Sequence, residues 1–101
     1  MSIPAEHPRH KLNELVHSPV RFSIMAALVK AESLDFKDLR DAIQVSDSVL
    51  SKQLAILEKA EFVKIKKSFA GKMPRTSASL TAAGHEVWAA HLHTLREIAG
   101  G

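Results

Sequence analysis

Apolar residues recur along this chain at helical spacing, then at strand spacing, then at helical spacing again. In "VRFSIMAALVKAE", Val20, Ile24 and Leu28 return every four residues, and Met25, Ala27 and Val29 widen the stripe into a largely buried face. Ser18 offers an N-cap oxygen, and Pro19 sits at the first helical position, where its missing N–H is no loss. The next element, "DFKDLRDAI", is short. Asp35 can cap it, and Leu34 can pack on Leu39 as a hydrophobic staple. Only Gln44 and Val45 separate it from Ser46, the cap of a third helix, "DSVLSKQLAILEKA", where Val45 and Leu50 repeat the staple. Leu50, Leu54 and Leu57 share one face of that helix, and Asp47 at its start suits the helix dipole.

From Phe62 the period becomes two. Val63 and Ile65 alternate with Lys64 and Lys66, as in a strand with one buried face. "SFAGKMP" supplies a reversal and "RTSASLT" a returning strand, so a β-hairpin is predicted. Thr81 then caps a last helix carrying Val87, Trp88, Leu92, Leu95 and Ile98 at helical spacing. Upstream, Leu12, Leu15 and Val16 predict a short helix from about His10 to Val16, after a loose arm over residues 1–9. The expected fold is mainly α with a small β-hairpin, in one domain spanning residues 1–101, the size of a single hydrophobic core.

Charge sharpens this outline. The net charge of +3 is too small to imply an anionic partner, but its distribution is uneven. Lys64, Lys66, Lys67, Lys72 and Arg75 all fall between Phe62 and Thr81, where there is no acidic residue. Such a hairpin can neutralise phosphates and release counterions. The plainer alternative is a solubilised strand edge, since Lys also discourages edge-to-edge pairing. With no cysteine there is no disulfide or thiolate metal site. The N-terminal residues lack the apolar core of a signal peptide and no apolar run is long enough to span a bilayer, so a cytoplasmic protein without membrane insertion is expected.

If the three leucines of the third helix point inward, Ser48, Lys52, Ala55 and Lys59 point outward, with Ser51 and Gln53 on the flanks. Small and hydrogen-bonding side chains on one helix face suit close approach to a major groove. They equally suit an ordinary solvated surface. The order of elements favours the first reading: a short helix, a tight turn and a second capped helix outline a helix-turn-helix, and a basic hairpin follows directly.

With these features the chain resembles the winged helix-turn-helix transcriptional regulators of the MarR/ArsR kind, particularly small single-domain members. The likeness runs from about Leu12 to Leu95 and rests on "HSPVRFSIMAAL", "DFKDLRDAIQVSDSVLSKQLAILEKAEFV" and "FAGKMPRTSASLTAAG". It implies a three-helix core, a wing, and additional N- and C-terminal helices. It further implies a homodimer on double-stranded DNA, with the third helix in the major groove and the wing on the backbone or minor groove. The implied recognition residues are Ser48, Ser51, Lys52, Gln53 and Ala55, with Lys72 and Arg75 on the wing. Lys64, Lys66 and Lys67 rank lower as DNA contacts. The implied dimer contacts are Leu12, Leu15, Trp88, Leu92 and Leu95, with residues 82–98 as the dimerisation helix. Two positions depart from the family's pattern. Glu61 replaces a helix-ending glycine, so a different helix end is expected, and Ala78 stands where an aromatic residue is frequent.

Catalysis has no convincing set of residues: there is no paired nucleophile and base, and no phosphate-cradling glycine loop. The expectation is no enzyme and no cofactor. Six histidines invite a metal reading, but His91 and His93 project about 200° apart on a helix, so surface or interface histidines are expected instead. A second function class remains open: a protein-interaction module on the same scaffold, using outward Ala55 and Ile56 and the exposed side of Trp88. Operator, sense of regulation and any small-molecule effector are not encoded in a form that can be read.

Overall fold

The computed structural model describes residues 7–100. Residues 1–6 of the expected N-terminal arm lie outside the described residues. Helix α1 (Pro19–Val29), strand β1 (Leu34–Asp35), helix α2 (Phe36–Ile43), helix α3 (Asp47–Lys59), strands β2 (Val63–Ala70) and β3 (Met73–Leu80) and helix α4 (Ala82–Ile98) follow in order. The three strands form one antiparallel sheet in the order β1-β3-β2.

The core is built by the predicted stripes. Ile24, Met25 and Leu28 of α1, Leu39 of α2, and Leu50, Leu54 and Leu57 of α3 meet Val63, Ala78 and Trp88 in one buried cluster. Leu34 and Val45, the two staple residues, pack on its edge. Ala78 is not a weakness of the returning strand. It is buried at the centre of the sheet, paired with Ile65 on one side and Leu34 on the other, so a small side chain meets neighbours on both flanks.

Several expectations change in detail. The N-terminal segment is a 3₁₀ turn over Pro8–Lys11 followed by a hydrogen-bonded turn from Asn13 to His17, not a regular helix from His10 to Val16. Asn13 explains the turn: its carbonyl accepts from the Val16 and His17 N–H groups and its side chain accepts from Val16 as well. Ser18 and Asp35 occupy N-cap positions without a side-chain capping bond, whereas Ser46 and Thr81 accept from the N–H groups of Val49 and Gly84. Asp35 instead faces Arg75 across the β1–β3 pair. Finally, α3 ends as a glycine-terminated helix would, although Glu61 supplies the residue. Glu61 has φ of +65°, the Phe62 N–H donates to the Leu57 carbonyl at 3.0 Å, and the Glu61 N–H donates to Glu58 at 2.9 Å. This is the paired-bond pattern of a Schellman end.

Candidate nucleic-acid interface

The tight turn that presents α3 is made by Gln44, the residue after α2, at φ of +56°. Its left-handed conformation ends α2 and turns the chain so that Ser46 can cap α3 within two residues. Arg40 of α2 reaches across the turn to Asp47 at 2.8 Å and also holds Asp41 at 3.0 Å, fixing the two helices by charge-assisted hydrogen bonds.

On α3 the leucine face is consumed by the core, and Ser48, Ser51, Lys52 and Ala55 are exposed on the opposite side. Val49, 38 % exposed, joins them. Gln53 is placed differently. It is half-buried on the flank towards α1, where its Oε1 accepts from Arg21 Nη1 at 2.7 Å, and Arg21 Nε donates to the Leu15 carbonyl. Arg21 therefore ties the N-terminal segment to the middle of α3, a role that nothing in its sequence surroundings signals.

The hairpin projects beyond the core. Residues Val63 to Ala70 pair in register with Leu80 to Met73, and the reversal needs only Gly71 and Lys72. Gly71 has φ of +63° and Lys72 has no positive φ, the pattern of a type II′ turn, whose twist matches the flanking strands. Lys72 stands exposed at the apex. Arg75 is half-exposed and its Nε lies 3.4 Å from Asp35 Oδ2, so one edge of its guanidinium is steered by a carboxylate while the rest stays open. Lys64, Lys66 and Lys67 are exposed along β2. Phe69 and Met73, flanking the turn, are 75 % and 69 % exposed. Extending the alternation of Val63 and Ile65 by two more steps leads to Phe69, so its place at the tip was recoverable from the sequence.

The residues expected at a dimer contact divide. Trp88 is committed to the chain's own core: it is 8 % exposed and its ring lies 4.8 Å from that of Phe22, which leaves little of it for a partner. Leu12, Leu92 and Leu95 are partly covered, and Leu15 and Ile98 are exposed. His91 is no surface histidine. It is 1 % exposed, accepts from the Asn13 N–H through Nδ1 at 3.4 Å, and lies with Nε2 3.3 Å from His17 Nδ1. Because the Asn13 N–H can only donate, the neutral His91 ring carries its proton on Nε2 and donates it to His17. Burial, and then the neighbouring His17, push the His91 pKa below its ordinary value. His85 and His93 are exposed, and among the described residues no three metal-ligating side chains converge. No described helix is long and apolar enough to cross a membrane.

The family model for winged helix DNA-binding domains matches residues 20–99. No curated protein matches the sequence. Solved structures do. A transcriptional regulator homologue from Pyrococcus horikoshii OT3 superposes with a TM-score of 0.83 at 26 % identity, over 88 % of each chain. A transcriptional regulator of the MarR family from Enterococcus faecalis V583 gives 0.73 at 22 % identity, over 85 % of this chain and 76 % of that one. Diamide-treated YodB from B. subtilis gives 0.74 at 20 % identity, over 81 % and 80 %. A helix-turn-helix whose inner face is buried, an exposed outer face on α3, an acid-free wing and a family match over residues 20–99 lead to one assignment: the chain belongs to the winged helix DNA-binding domain family.

Proposed function

We propose that the protein binds double-stranded DNA as a homodimer, with α3 in the major groove and the hairpin on the backbone or minor groove. The observation that carries this reading is the division of α3. Its leucines are buried, while Ser48, Ser51, Lys52 and Ala55 form an exposed face, next to a hairpin that has no acidic side chain. Ser and Lys bond base edges or phosphates, and Ala55 and Val49 suit the thymine methyl group. Gln53 contributes through the carboxamide edge that Arg21 leaves open.

Dimerisation through residues 82–98 fits the apolar surface that α4 does not bury, at Leu95 and Ile98, together with Leu15 of the N-terminal segment. Two copies related by a two-fold axis would present two α3 helices to half-sites about one helical turn apart. The protein-interaction alternative, on Ala55, Ile56 and Trp88, is weakened by the burial of Trp88.

Selection of bound duplexes from a random pool tests the reading directly, and a pseudo-palindromic consensus is the expected result. On the selected duplex, Lys72→Ala and Arg75→Ala should each lower the salt slope of binding by about one unit without changing the preferred sequence. Lys52→Ala should change the preference between sequences. Failure to bind any duplex at low salt would transfer the function to a protein partner.

A further inference from the structure

The wing tip presents a surface that counterion release does not explain. Phe69 and Met73 are 75 % and 69 % exposed, the two most exposed large apolar side chains among the described residues. They flank the two-residue turn, with Ala70 and Pro74 beside them, also exposed. Period-two alternation puts Phe69 and its cross-strand partner Pro74 on one face of the ribbon, and Ala70 and Met73 on the other. The tip is thus a blade with an apolar surface on both sides. Lys72 stands at its apex, and Lys66, Lys67 and Arg75 lie behind it. Asp35, the acidic group that β1 brings to this end of the sheet, is held by Arg75.

Neither folding nor phosphate binding requires exposed Phe and Met. Both residues lie past the end of the core, where Val63, Ile65 and Ala78 have already closed the sheet against the helices. Clustered apolar surface of this kind marks a contact. Its cationic surroundings, without a free acid, match a polyanion better than an ordinary protein surface.

We propose that the wing tip is an apolar wedge for the DNA minor groove. Phe69 and Met73 enter the groove and press on the base steps at its floor, while Lys72 and Arg75 hold the phosphates of its walls. The proposal rests on the reading of the chain as a DNA-binding wing and adds to it a mode of recognition. Two strands about 4.8 Å apart, with a phenyl ring on one face, are wider than a minor groove of about 6 Å once side chains are counted. Entry therefore opens the groove, partly unstacks a step and bends the duplex towards the major groove. Pyrimidine–purine steps yield most readily, and A-tracts, stiff and narrow, resist. The wing thereby selects its flank by deformability, at positions where no base edge is read.

The test uses the full chain and a duplex selected from a random pool, remade in two forms. The flank under the wing, located by hydroxyl-radical footprinting, is a TA step in one form and an A-tract in the other. The wild type should bind the TA form about tenfold more tightly and bend it, as read by end-to-end energy transfer. Phe69→Ala with Met73→Ala, at exposed sites where substitution leaves the fold intact, should bring the preference within about twofold and reduce the bend, with the salt slope unchanged. Retained preference and bend in that variant would overturn the wedge while leaving DNA binding standing. So would an equal loss of affinity on both forms. A loss of self-association without DNA would reassign the tip to an interface between copies. If the wild type binds neither form at low salt, the DNA-binding reading falls first and the wedge with it.

Discussion

Glu61 carries a measurable backbone penalty at the point where α3 hands the chain to the wing. Its φ of +65° lies in the left-handed region, and the two Schellman bonds from Glu61 and Phe62 hold it there. A side chain in that region costs an L-residue roughly 1–2 kcal/mol that glycine does not suffer. Glycine returns part of the gain by loosening the unfolded chain, about 0.4–1 kcal/mol. Glu61→Gly should therefore stabilise the fold by about 0.5–1 kcal/mol, a rise of about 2–8 °C in Tm for a domain of this size. One confounding effect must be removed. The Glu61 carboxylate sits beyond the C-terminal end of a helix, where the dipole disfavours negative charge, so any neutral residue would gain something. Glu61→Ala isolates that gain, because it removes the charge and keeps the Cβ. The Thr81 hydroxyl bond to the Glu61 carbonyl, at 2.6 Å, involves only the backbone of Glu61 and survives in both variants. Urea unfolding of the three proteins at one fixed concentration gives the comparison. The expected order is glycine well above alanine, with alanine at or slightly above wild type. An alanine variant as stable as the glycine variant would refute the strain argument and leave only the charge.

Other perturbations follow from single contacts. Gln44, at φ of +56° in the helix-turn-helix corner, should respond to glycine in the same direction, by about 0.5–1 kcal/mol, as read by the urea midpoint. Gly84→Ala should destabilise strongly, because an added Cβ would meet the Phe62 carbonyl oxygen at 2.0 Å, a backbone atom that can only yield by moving the wing base; a loss of about 1–3 kcal/mol or more is expected from urea unfolding. His91, whose pKa is lowered from 6.5 by burial and by His17, takes up its proton more readily when unfolded. Its contribution is present above about pH 6.5 and is lost as pH falls below that value towards the lowered folded pKa; His91→Gln should flatten the fall in stability between neutral and mildly acidic pH. Arg21→Ala and Gln53→Ala should be non-additive in the preference between selected and altered half-sites, because one 2.7 Å bond joins them; strictly additive changes in fluorescence anisotropy titrations would separate the two residues.

What was legible in the sequence was whatever repeats at a fixed period or sits at a fixed offset. The stripes of α1 and α3, the alternation of β2, and the Ser46 and Thr81 caps all belong to that class, since a local rule places each of them. What was not legible depends on which distant residue arrives at the same place. Asp35 reads as a cap from its neighbours, but pairing of β1 with β3 brings Arg75 to its carboxylate. Gln53 reads as a free flank residue until α1 sets Arg21 beside it. His91 and Trp88 read as outward groups on a long helix, and both are buried, because Phe22 and the turn at Asn13 cover that side of α4. Glu61 fails for another reason. Propensity disfavours its conformation, but the two backbone bonds and the burial of Val63 beyond it outweigh a penalty of about 1–2 kcal/mol.

These details converge on one junction. Thr81 donates its hydroxyl to the Glu61 carbonyl at 2.6 Å, donates its N–H to the Phe62 carbonyl at 3.1 Å, and accepts from the Gly84 N–H at 2.9 Å. One residue thereby ties the end of α3, the root of the wing and the start of α4. The absence of a side chain at Gly84 lets α4 press directly on the Phe62 carbonyl, so this contact has no flexible group to absorb movement. The N-terminal segment joins the same frame from the other end, through Arg21 to Gln53 of α3 and through Asn13 to His91 of α4. A rotation of α4 would therefore have to carry α3 and the wing with it or break bonds at both ends. If α4 is the dimer helix, the spacing of the two DNA-reading surfaces is set by how α4 meets its partner. Regulation would then act on that angle and not on α3 itself.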